Sequence, residues 1–573
     1  MGKIKLILFI LFILINYNKI FIHGKTIYVT QDNTGDYSTI SSALDVLSQG
    51  DTVIIKKGIY NESINLPVGG TKNDYLAIIG EDNVIIDGSN LNEEHIIHIE
   101  NKSYVVIKNL EIRNTPNAET PVGIFVTGGG ENILIENCKV HNINITQTDA
   151  HGIAVYGNSA NPIKNIIIRG CEVYNNKLGS SEAVVLNGNV DGFVVENNVV
   201  HDNDNIGIDF IGFEGVGPTE DIDQARNGVC RGNIVYNISS KDNLAYNGDM
   251  SADGIYVDGG KNIIIERNKV YACDYGIEVA SEHLDKVTYS VDVRNNLIYN
   301  CNNSGIAFGG YDTDRGWAKY CRFYNNTLYN NGIGPQGYSQ ILMQKSKNNQ
   351  FFNNIIYGTS GKVMIEDPLG YYQYNDFNYN LWYSPDGDNT EWDINGGAVG
   401  FDEYRQKTGY GANSIFADPS FVDKDNFDFH LLSTSPAIDI GSMNDLNSNT
   451  IYPDNSILDL DGNNRIVGEG VDLGCFEYGS TTYIKNNIVE KDTYIEVYPN
   501  PFNPTTTIRI ITNRLGIVLA IYDINGKIIK RKEFNRIGVI KYNLSLENKS
   551  SGVYFVKVID GKNIYIRKLI FVK

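Results

Sequence analysis

Two consecutive segments of the chain decide its fold: residues 254–271 read GIYVDGGKNIIIERNKVY, and residues 276–299 read GIEVASEHLDKVTYSVDVRNNLIY. Each begins with Gly-Ile and a short strand, and each ends with Asn, a variable residue, an apolar residue and Tyr. The first position of this closing motif is filled by Asn109, Cys138, Cys171, Asn198, Asn233, Asn268, Asn296, Asn326, Asn354 and Asn380. A repeat of about 30 residues predicts a coil of about ten turns, because one turn cannot bury its own apolar face and must stack on its neighbours.

The Asn and the aromatic residue of the motif both have structural explanations. In turns stacked about 4.8 Å apart, each Asn amide can donate to the Asn of one neighbouring turn and accept from the other. The aromatic position holds His141, Tyr174, His201, Tyr236, Tyr271, Tyr299, Tyr329 and Tyr357. We expect these rings to stack along the coil, and we assign the two histidines no catalytic role.

The segment before the repeats is typical of a cap. Residues 26–64 read TIYVTQDNTGDYSTISSALDVLSQGDTVIIKKGIYNESI. We expect a short helix from Ile40 to Leu47 to cover the open end of the core, since bare strand edges would otherwise be exposed. With this cap and the repeats, residues 25–385 resemble the right-handed parallel β-helix proteins of the pectate-lyase-like superfamily. The resemblance implies an all-β fold, a right-handed parallel β-helix and action on polysaccharides.

The N-terminus indicates export. Lys3 and Lys5 precede an apolar run at residues 6–15, which is too short to cross a bilayer. We therefore predict a signal peptide at residues 1–24. No later stretch is long and apolar enough to predict a transmembrane segment.

The chain after residue 385 divides into three predicted parts. Residues 386–479 contain FADPSFVDKDNFDFHLLSTSPAIDIG and resemble a choice-of-anchor tail, which implies that they close the end of the β-helix. Residues 480–493 form a linker. Residues 494–573 contain YPNPFNPTT and SGVYFVKV, predict a small β-sandwich, and resemble the C-terminal sorting domain of type IX secretion substrates. This resemblance implies that the type IX secretion machinery is a partner. It also implies a secreted protein, or one on the outer-membrane surface of a Gram-negative, Bacteroidota-like bacterium.

Composition excludes one class of partner. The formal net charge is −20, which argues against a nucleic-acid ligand because phosphate binding requires clustered Lys and Arg. Seven Cys in 573 residues do not form a disulfide framework. We expect a monomer.

One column of outward-facing side chains is the first candidate for a functional site. Side chains alternate along a strand, so with the Ile of each Gly-Ile pointing inward, Asp209, Tyr256 and Glu278 face outward on consecutive turns. Two turn spacings separate the two carboxylates by roughly 10 Å. The longest insertions of the repeat surround this column, and insertions on one flank favour a binding site. Their other polar residues include Glu214, Asp253, Asp258, Glu282, His283, Asp312, Asp314, Arg315 and Lys319.

Glycoside hydrolysis fits this column. The reaction uses two carboxylates, for which Asp209 and Glu278 are the candidates, with Asp253 and Asp258 as substitutes. The residues expected to bind the substrate are Tyr256, Glu214, Glu282, Asp312 and Asp314.

Elimination at a uronate is the second chemistry. It uses a base, for which Lys319, Arg315 and His283 are the candidates. It also uses a cation that neutralises the substrate carboxylate. Calcium prefers carboxylate oxygens, and its expected ligands are Asp202 and Asp204, joined by Asp209 and Asp253.

Other interpretations remain open. Residues 251–260, SADGIYVDGG, depart from the segment typical of family nine pectate lyases at Tyr256 and Asp258. Asp253 and Asp258 flank glycines, where Asp commonly forms turns, and Asp209 and Glu278 are also compatible with a solvated surface. The alternative function is a non-catalytic carbohydrate-binding or surface structural β-helix.

Overall fold

The structure is a computed structural model that describes residues 24–145, 148–409, 411–443, 458–480, 493–498, 502–512, 517–524, 526–534, 538–560 and 563–573. The chain divides into two compact units, Met1–Thr482 and Tyr483–Lys573. The predicted signal peptide before residue 24 and the predicted linker between residues 480 and 493 lie outside the described residues.

The first unit is a right-handed parallel β-helix, which confirms the predicted fold. A typical turn contributes one strand to each of three long parallel sheets, which we call sheets 1, 2 and 3. Sheet 1 contains the strands Ile64–Asn65, His95–Glu100, Val122–Thr127, His151–Gly157, Val184–Gly188, Ile208–Ile211, Asp253–Asp258, Tyr275–Ala280, Ser304–Phe308, Ser339–Met343 and Val363–Glu366. Sheet 2 contains Thr26–Val29, Thr52–Ile55, Leu76–Gly80, Val105–Lys108, Gly130–Glu136, Ile163–Arg169, Val190–Glu196, Arg226–Arg231, Lys261–Glu266, Val287–Arg294, Trp317–Lys319, Arg322–Tyr324, Ser346–Lys347, Gln350–Phe352 and Asp376–Asn378. Sheet 3 contains Gly58–Tyr60, Val84–Asp87, Glu111–Arg113, Lys139–His141, Glu172–Tyr174, Val199–Asn203, Ile234–Ile238, Lys269–Tyr271, Leu297–Tyr299, Thr327–Tyr329, Ile355–Tyr357, Leu381–Tyr383 and Ile415–Phe416.

A ladder of Asn side chains fixes one corner of the coil, as the repeat predicts. Asn198 donates from Nδ2 to Oδ1 of Asn233, and Asn233 donates in the same way to Asn268, both at 3.0 Å. The same bond, at 2.9–3.0 Å, joins the later rungs Asn268, Asn296, Asn326, Asn354 and Asn380. Each Oδ1 also accepts the backbone N–H of the preceding Asn, so buried amide groups are satisfied from one turn to the next.

The beginning of this column differs from the sequence prediction. Glu111 pairs with Lys139, so Leu110, and not Asn109, occupies the ladder position next to Cys138. Asn109 instead has a φ of 58° and forms the turn before the ladder, in the left-handed region that Asn tolerates better than most residues. In the doublet Asn295-Asn296, the first Asn has a φ of 54° and the second is a ladder rung. In such a doublet, the first Asn therefore forms the turn and the second forms the ladder.

The aromatic column and the cap also form. The rings from His141 to Tyr299 stack with centroids 4.7–5.1 Å apart. The cap helix, α1, spans Ile40–Leu44 and buries Ile40, Ala43 and Leu44. It ends three residues before the predicted Leu47, and Thr39 caps its N-terminus by accepting the Ser42 N–H.

The described part of residues 386–479 packs against the coil in two places. Helix α2, Phe401–Thr408, packs Tyr404 on Trp392 beyond the last turns, and both side chains are buried. Further on, Phe429 packs against Tyr329 of the aromatic column at 4.8 Å. This part also contains two antiparallel strand pairs, Trp392–Asp393 with Ala398–Val399 and Phe421–Asp423 with Asp428–Leu431. Its 3₁₀ turns are Gly387–Asn389 and Lys424–Asn426, and another, Tyr372–Tyr374, lies shortly before it. One further 3₁₀ turn, Leu244–Tyr246, lies in a loop between two turns of the coil.

The described residues of the second unit form two antiparallel sheets with an apolar core of their own. One sheet contains Thr493–Tyr498, Thr505–Thr512 and Gly538–Ser545. The other contains Ile528–Phe534, Ile517–Asp523, Gly552–Asp560 and Asn563–Phe571.

Candidate active site

The outward face of sheet 1 carries three polar side chains on consecutive turns. The register pairs Asp209 with Tyr256, and Tyr256 with Glu278. Asp209 and Tyr256 are 2% and 4% exposed, whereas Glu278 is partly exposed. The column therefore has an enclosed end and an end that solvent reaches.

Asp253 and Glu278 form a carboxyl pair beside this column. Their side chains share a hydrogen bond, and burial together with the charge of Glu278 raises the pKa of Asp253 well above its usual range. Burial raises the pKa of Glu278 to about 7, although the hydrogen bond from Asp253 opposes the rise. The shared hydrogen bond raises the pKa of Asp253 and lowers that of Glu278, so when the pair holds one proton, Asp253 carries it and donates to the Glu278 carboxylate.

Three further carboxyl groups are enclosed on the same face. Glu182, Asp209 and Asp258 are 8%, 2% and 4% exposed. Burial is the main reason why the pKa of each is raised well above its usual range, and repulsion between neighbouring carboxylates is the second. Carboxyl groups with raised pKa values, gathered on one face, are typical of sites that transfer protons or hold cations.

Loops bring a histidine to this cluster. Glu214, Asp258 and His283 each offer a ligand atom, and these atoms lie within 4.8 Å of one another. Asp258 Oδ1 accepts the backbone N–H of Glu282 at 2.8 Å, and Glu214 Oε2 accepts Nδ2 of Asn187 at 2.8 Å. The three residues are arranged so that they could hold a divalent cation.

The other loop residues border this group. The Tyr256 hydroxyl donates to Glu282 Oε1 at 3.4 Å, and Arg315 Nη1 donates to the backbone oxygen of Glu282 at 3.2 Å. Asp312 lies 3.9 Å from Arg315 Nε, and Asp314 is exposed in the same loop. Arg315 therefore lies at the edge of the acidic cluster.

Lys319 lies apart from the column. Its strand, Trp317–Lys319, belongs to sheet 2, where Lys319 pairs with Tyr289. Its ammonium group lies 4.5 Å from the centre of the Trp317 ring. The sequence prediction assumed that the whole insertion from residue 309 to 319 stays on the flank of sheet 1, whereas its last residues return to the coil.

The predicted calcium ligands Asp202 and Asp204 bind protein groups of their own. Asp202, in sheet 3, accepts Nδ2 of Asn237 through Oδ1 at 3.0 Å. Asp204 accepts the backbone N–H of Leu178 at 2.7 Å. The structure does not bring these two carboxylates together with the carboxyl groups of sheet 1.

Sequence reasoning missed Glu182 and His151. His151 is 3% exposed; its Nδ1 lies 3.2 Å from the Glu182 backbone oxygen and its Nε2 lies 3.2 Å from the Tyr156 hydroxyl. Burial lowers the pKa of His151 to about 4. A signal was present, because His151 directly precedes a Gly-Ile dipeptide, as Asp253 does. Glu182 precedes Ala-Val, so a search for Gly-Ile does not find it.

A row of rings extends the outward face of sheet 1 towards the N-terminal turns. Phe125 stacks on His98 with centroids 5.6 Å apart and meets the edge of Tyr156 at 5.4 Å. His95 lies 4.5 Å from Phe125. All four rings are partly exposed, so they present an aromatic surface beside the acidic cluster.

Comparisons with known proteins identify the family. Residues 28–214 match a family model described as Pel9A-like, right handed beta helix region, and residues 182–312 and 254–384 match one described as right handed beta helix region. The uncharacterized protein YwoF of Bacillus subtilis (strain 168) is 36% identical over 412 residues, which cover 70% of this chain and 88% of YwoF. This chain belongs to the right-handed β-helix family that includes YwoF. The β-helix family models together span every turn that carries the acidic cluster, and the predicted resemblance to pectate-lyase-like β-helices is confirmed.

Solved structures of this fold include two enzymes. The alginate lyase from Paenibacillus sp. str. FPU-7 is 14% identical, with 60% of this chain and 97% of the lyase covered and a TM-score of 0.39. The family 28 exopolygalacturonase of Yersinia enterocolitica is 12% identical, with 63% and 76% covered and a TM-score of 0.42.

The C-terminal unit contains a secretion signal. Residues 496–573 match the secretion system C-terminal sorting domain, which indicates a secreted or cell-surface protein of the Bacteroidota type. None of the helices in the described part of the chain is long and apolar enough to cross a membrane.

Proposed function

We propose that this β-helix is a secreted polysaccharide-active enzyme whose acid–base groups are the carboxyl groups of sheet 1. The observation that carries the proposal is the Asp253–Glu278 pair, in which burial raises the pKa of both carboxyl groups, that of Glu278 to about 7. General acid–base catalysis works best with groups whose pKa lies near the operating pH. Glu278 also has the access to solvent that a catalytic base requires.

Glycoside hydrolysis is the chemistry that these groups support best. Glu278, held by Asp253, acts as the base that activates a water molecule. Asp209 stands two turns from Glu278 in the register, which corresponds to roughly 10 Å between their Cα atoms. Burial, and then the charge of Glu182, raise the pKa of Asp209 well above its usual range. This favours the protonated form, which donates its proton to the leaving oxygen of the sugar.

A lyase reaction is supported less well. The base that we predicted at Lys319 lies in sheet 2, and the Arg315 guanidinium faces the Glu282 backbone oxygen and the Tyr311 ring. Calcium bound by Asp202 and Asp204 remains part of the lyase alternative, although protein donors already occupy oxygens of both residues.

The polymer itself is expected to run along sheet 1. The rings of His98, Phe125 and Tyr156 provide an aromatic surface of the kind that lines ligand sites, one side of which leads to the carboxyl groups. We also propose that the type IX machinery carries the protein to the outer-membrane surface or beyond, where it acts as a monomer. Size-exclusion chromatography of the exported protein checks the last point.

The test is product release from a panel of acidic and neutral polysaccharides. A hydrolase releases reducing ends without unsaturated products, and Glu278→Gln and Asp209→Asn abolish the release. Glu93→Gln, an exposed glutamate in the turn before His95–Glu100, is the matched control and stays active. Unsaturated products that disappear with EDTA would instead establish the calcium-dependent lyase. Retained polysaccharide binding without any product would establish the non-catalytic binding protein.

A further inference from the structure

We propose that Glu214, Asp258 and His283 bind one divalent transition-metal ion of the zinc class on the flank of the β-helix. This site is separate from the Asp253–Glu278 pair. It does not rest on the proposed polysaccharide activity, because metal binding can be measured without a substrate.

The fold delivers the three ligands from three successive turns of sheet 1. Asp258 ends the strand Asp253–Asp258, Glu214 lies in the loop after Ile208–Ile211, and His283 lies in the loop after Tyr275–Ala280. Their ligand atoms already lie within 4.8 Å of one another. Two ligands at about 2.1 Å from a tetrahedral zinc ion lie about 3.4 Å apart. Side-chain adjustments on the order of 1 Å therefore complete the site.

A second observation points to a bound ion. Nε2 of His283 is enclosed by the protein and has no hydrogen-bond partner among the residues that the structure describes, which is costly for a buried polar atom. A metal ion beside two carboxylates would satisfy this nitrogen and balance their charge.

The ligands are also held from behind. Asn187 donates to Glu214, and the backbone N–H of Glu282 donates to Asp258. Hydrogen bonds of this kind orient metal ligands and increase the affinity of a site.

The imidazole decides the class of metal. Calcium and magnesium take oxygen ligands, whereas imidazole suits zinc, copper, iron and nickel. Three protein ligands leave at least one position on a zinc ion for a water molecule or a substrate oxygen. The site is therefore expected to prefer Zn²⁺ over Ca²⁺ and to remain open to small oxygen ligands.

The test titrates the metal-free full chain with Zn²⁺, and with Co²⁺ as a spectroscopic probe. We expect one equivalent to bind, with a Co²⁺ spectrum that shows a nitrogen ligand. His283→Gln and Glu214→Gln should each weaken binding by more than about 10-fold, since even the outer partners of metal ligands contribute 10- to 100-fold. Glu214 is exposed, so its substitution tests the site without disturbing the core.

Two control variants should bind zinc as the wild type does. His201→Tyr places Tyr in the aromatic column, where the neighbouring turns already carry Tyr174 and Tyr236. Asp221→Asn changes an exposed carboxylate in the same loop as Glu214. Unchanged zinc affinity in both ligand variants, the absence of a one-equivalent site, or displacement of zinc by an equal concentration of Ca²⁺ would each overturn the proposal.

Discussion

Replacing Glu278 by Gln should stabilise the β-helix at alkaline pH while it removes activity. The pKa of Glu278 is raised from 4.5 to about 7 in the folded protein. A carboxyl group with a raised pKa contributes stability that is fully present below the unfolded pKa and is lost as the pH rises through the folded pKa. The loss therefore falls between about pH 4.5 and pH 7. A rise of that size in the pKa corresponds to about 3 kcal/mol.

The amide of the Glu278→Gln variant carries no charge at any pH, yet its oxygen can still accept the proton of Asp253. The substitution should thus be close to neutral near pH 4 and stabilising by up to about 3 kcal/mol near pH 8. Guanidinium unfolding midpoints of wild type and Glu278→Gln, measured at both pH values, check this. Glu93→Gln is the control and should show no pH-dependent difference. A difference between Glu278→Gln and wild type that is the same at both pH values, or destabilising near pH 8, would refute the reasoning.

Four other predictions use different parts of the molecule. If Glu278 is the base and Asp209 the acid, kcat/KM should rise with pH through about 7 and fall again at higher pH, and a pH–rate profile that is flat around 7 would contradict the assignment. Phe125→Ala should raise KM for a long polymer several-fold with little change in kcat, as steady-state kinetics on long and short substrates will show. Asn268→Ala leaves the amide groups of Asn233 without their acceptor and should cost about 2–4 kcal/mol of stability, whereas the exposed neighbour Lys269→Ala should cost almost nothing in the same denaturation experiment. His430 lies between Asp428 and Asp461, and hydrogen bonds to them raise its pKa to about 9. Its contribution to stability is therefore present below about pH 6.5 and is lost as the pH rises through about 9. The thermal unfolding temperatures of wild type and His430→Gln should converge above that pH.

The order of Asp209, Tyr256 and Glu278 on the outward face was accessible from the sequence because the Gly-Ile motif marks the same position in each turn. Parallel strands in register then place equivalent residues side by side. The Asn ladder followed from the same logic. Its one error, Asn109 for Leu110, arose because either residue of an Asn doublet or Asn-Leu pair can begin the motif, and only the backbone conformation distinguishes them.

The carboxyl pair could not be predicted in this way. Asp253 and Glu278 occupy different positions of their strands, so their contact depends on side-chain directions and not on the repeat. Glu182 lies in the cluster although its turn lacks the Gly-Ile motif. Lys319, which was predicted to lie there, belongs to sheet 2 because its loop returns to the coil. Loop paths and contacts between non-equivalent positions are set by tertiary packing, which a periodic pattern does not contain.

The Asn ladder has a direction. Each side-chain amide from Asn198 to Asn354 donates one hydrogen to the next Asn towards the C-terminal end and the other to a backbone oxygen of the preceding turn. The last one, Asn380, accepts from Asn354 while its backbone N–H donates to Ser414 Oγ. Every Asn of the ladder thus offers the same hydrogen-bonding groups to the turn before it and to the turn after it. The ladder also lies at a different corner of the coil from the loops that hold Glu214 and His283. Such a coil can gain or lose whole turns by duplication or deletion, as a stack of interchangeable modules, while the loops over sheet 1 diversify independently. Length and specificity are therefore separate variables in the evolution of this architecture.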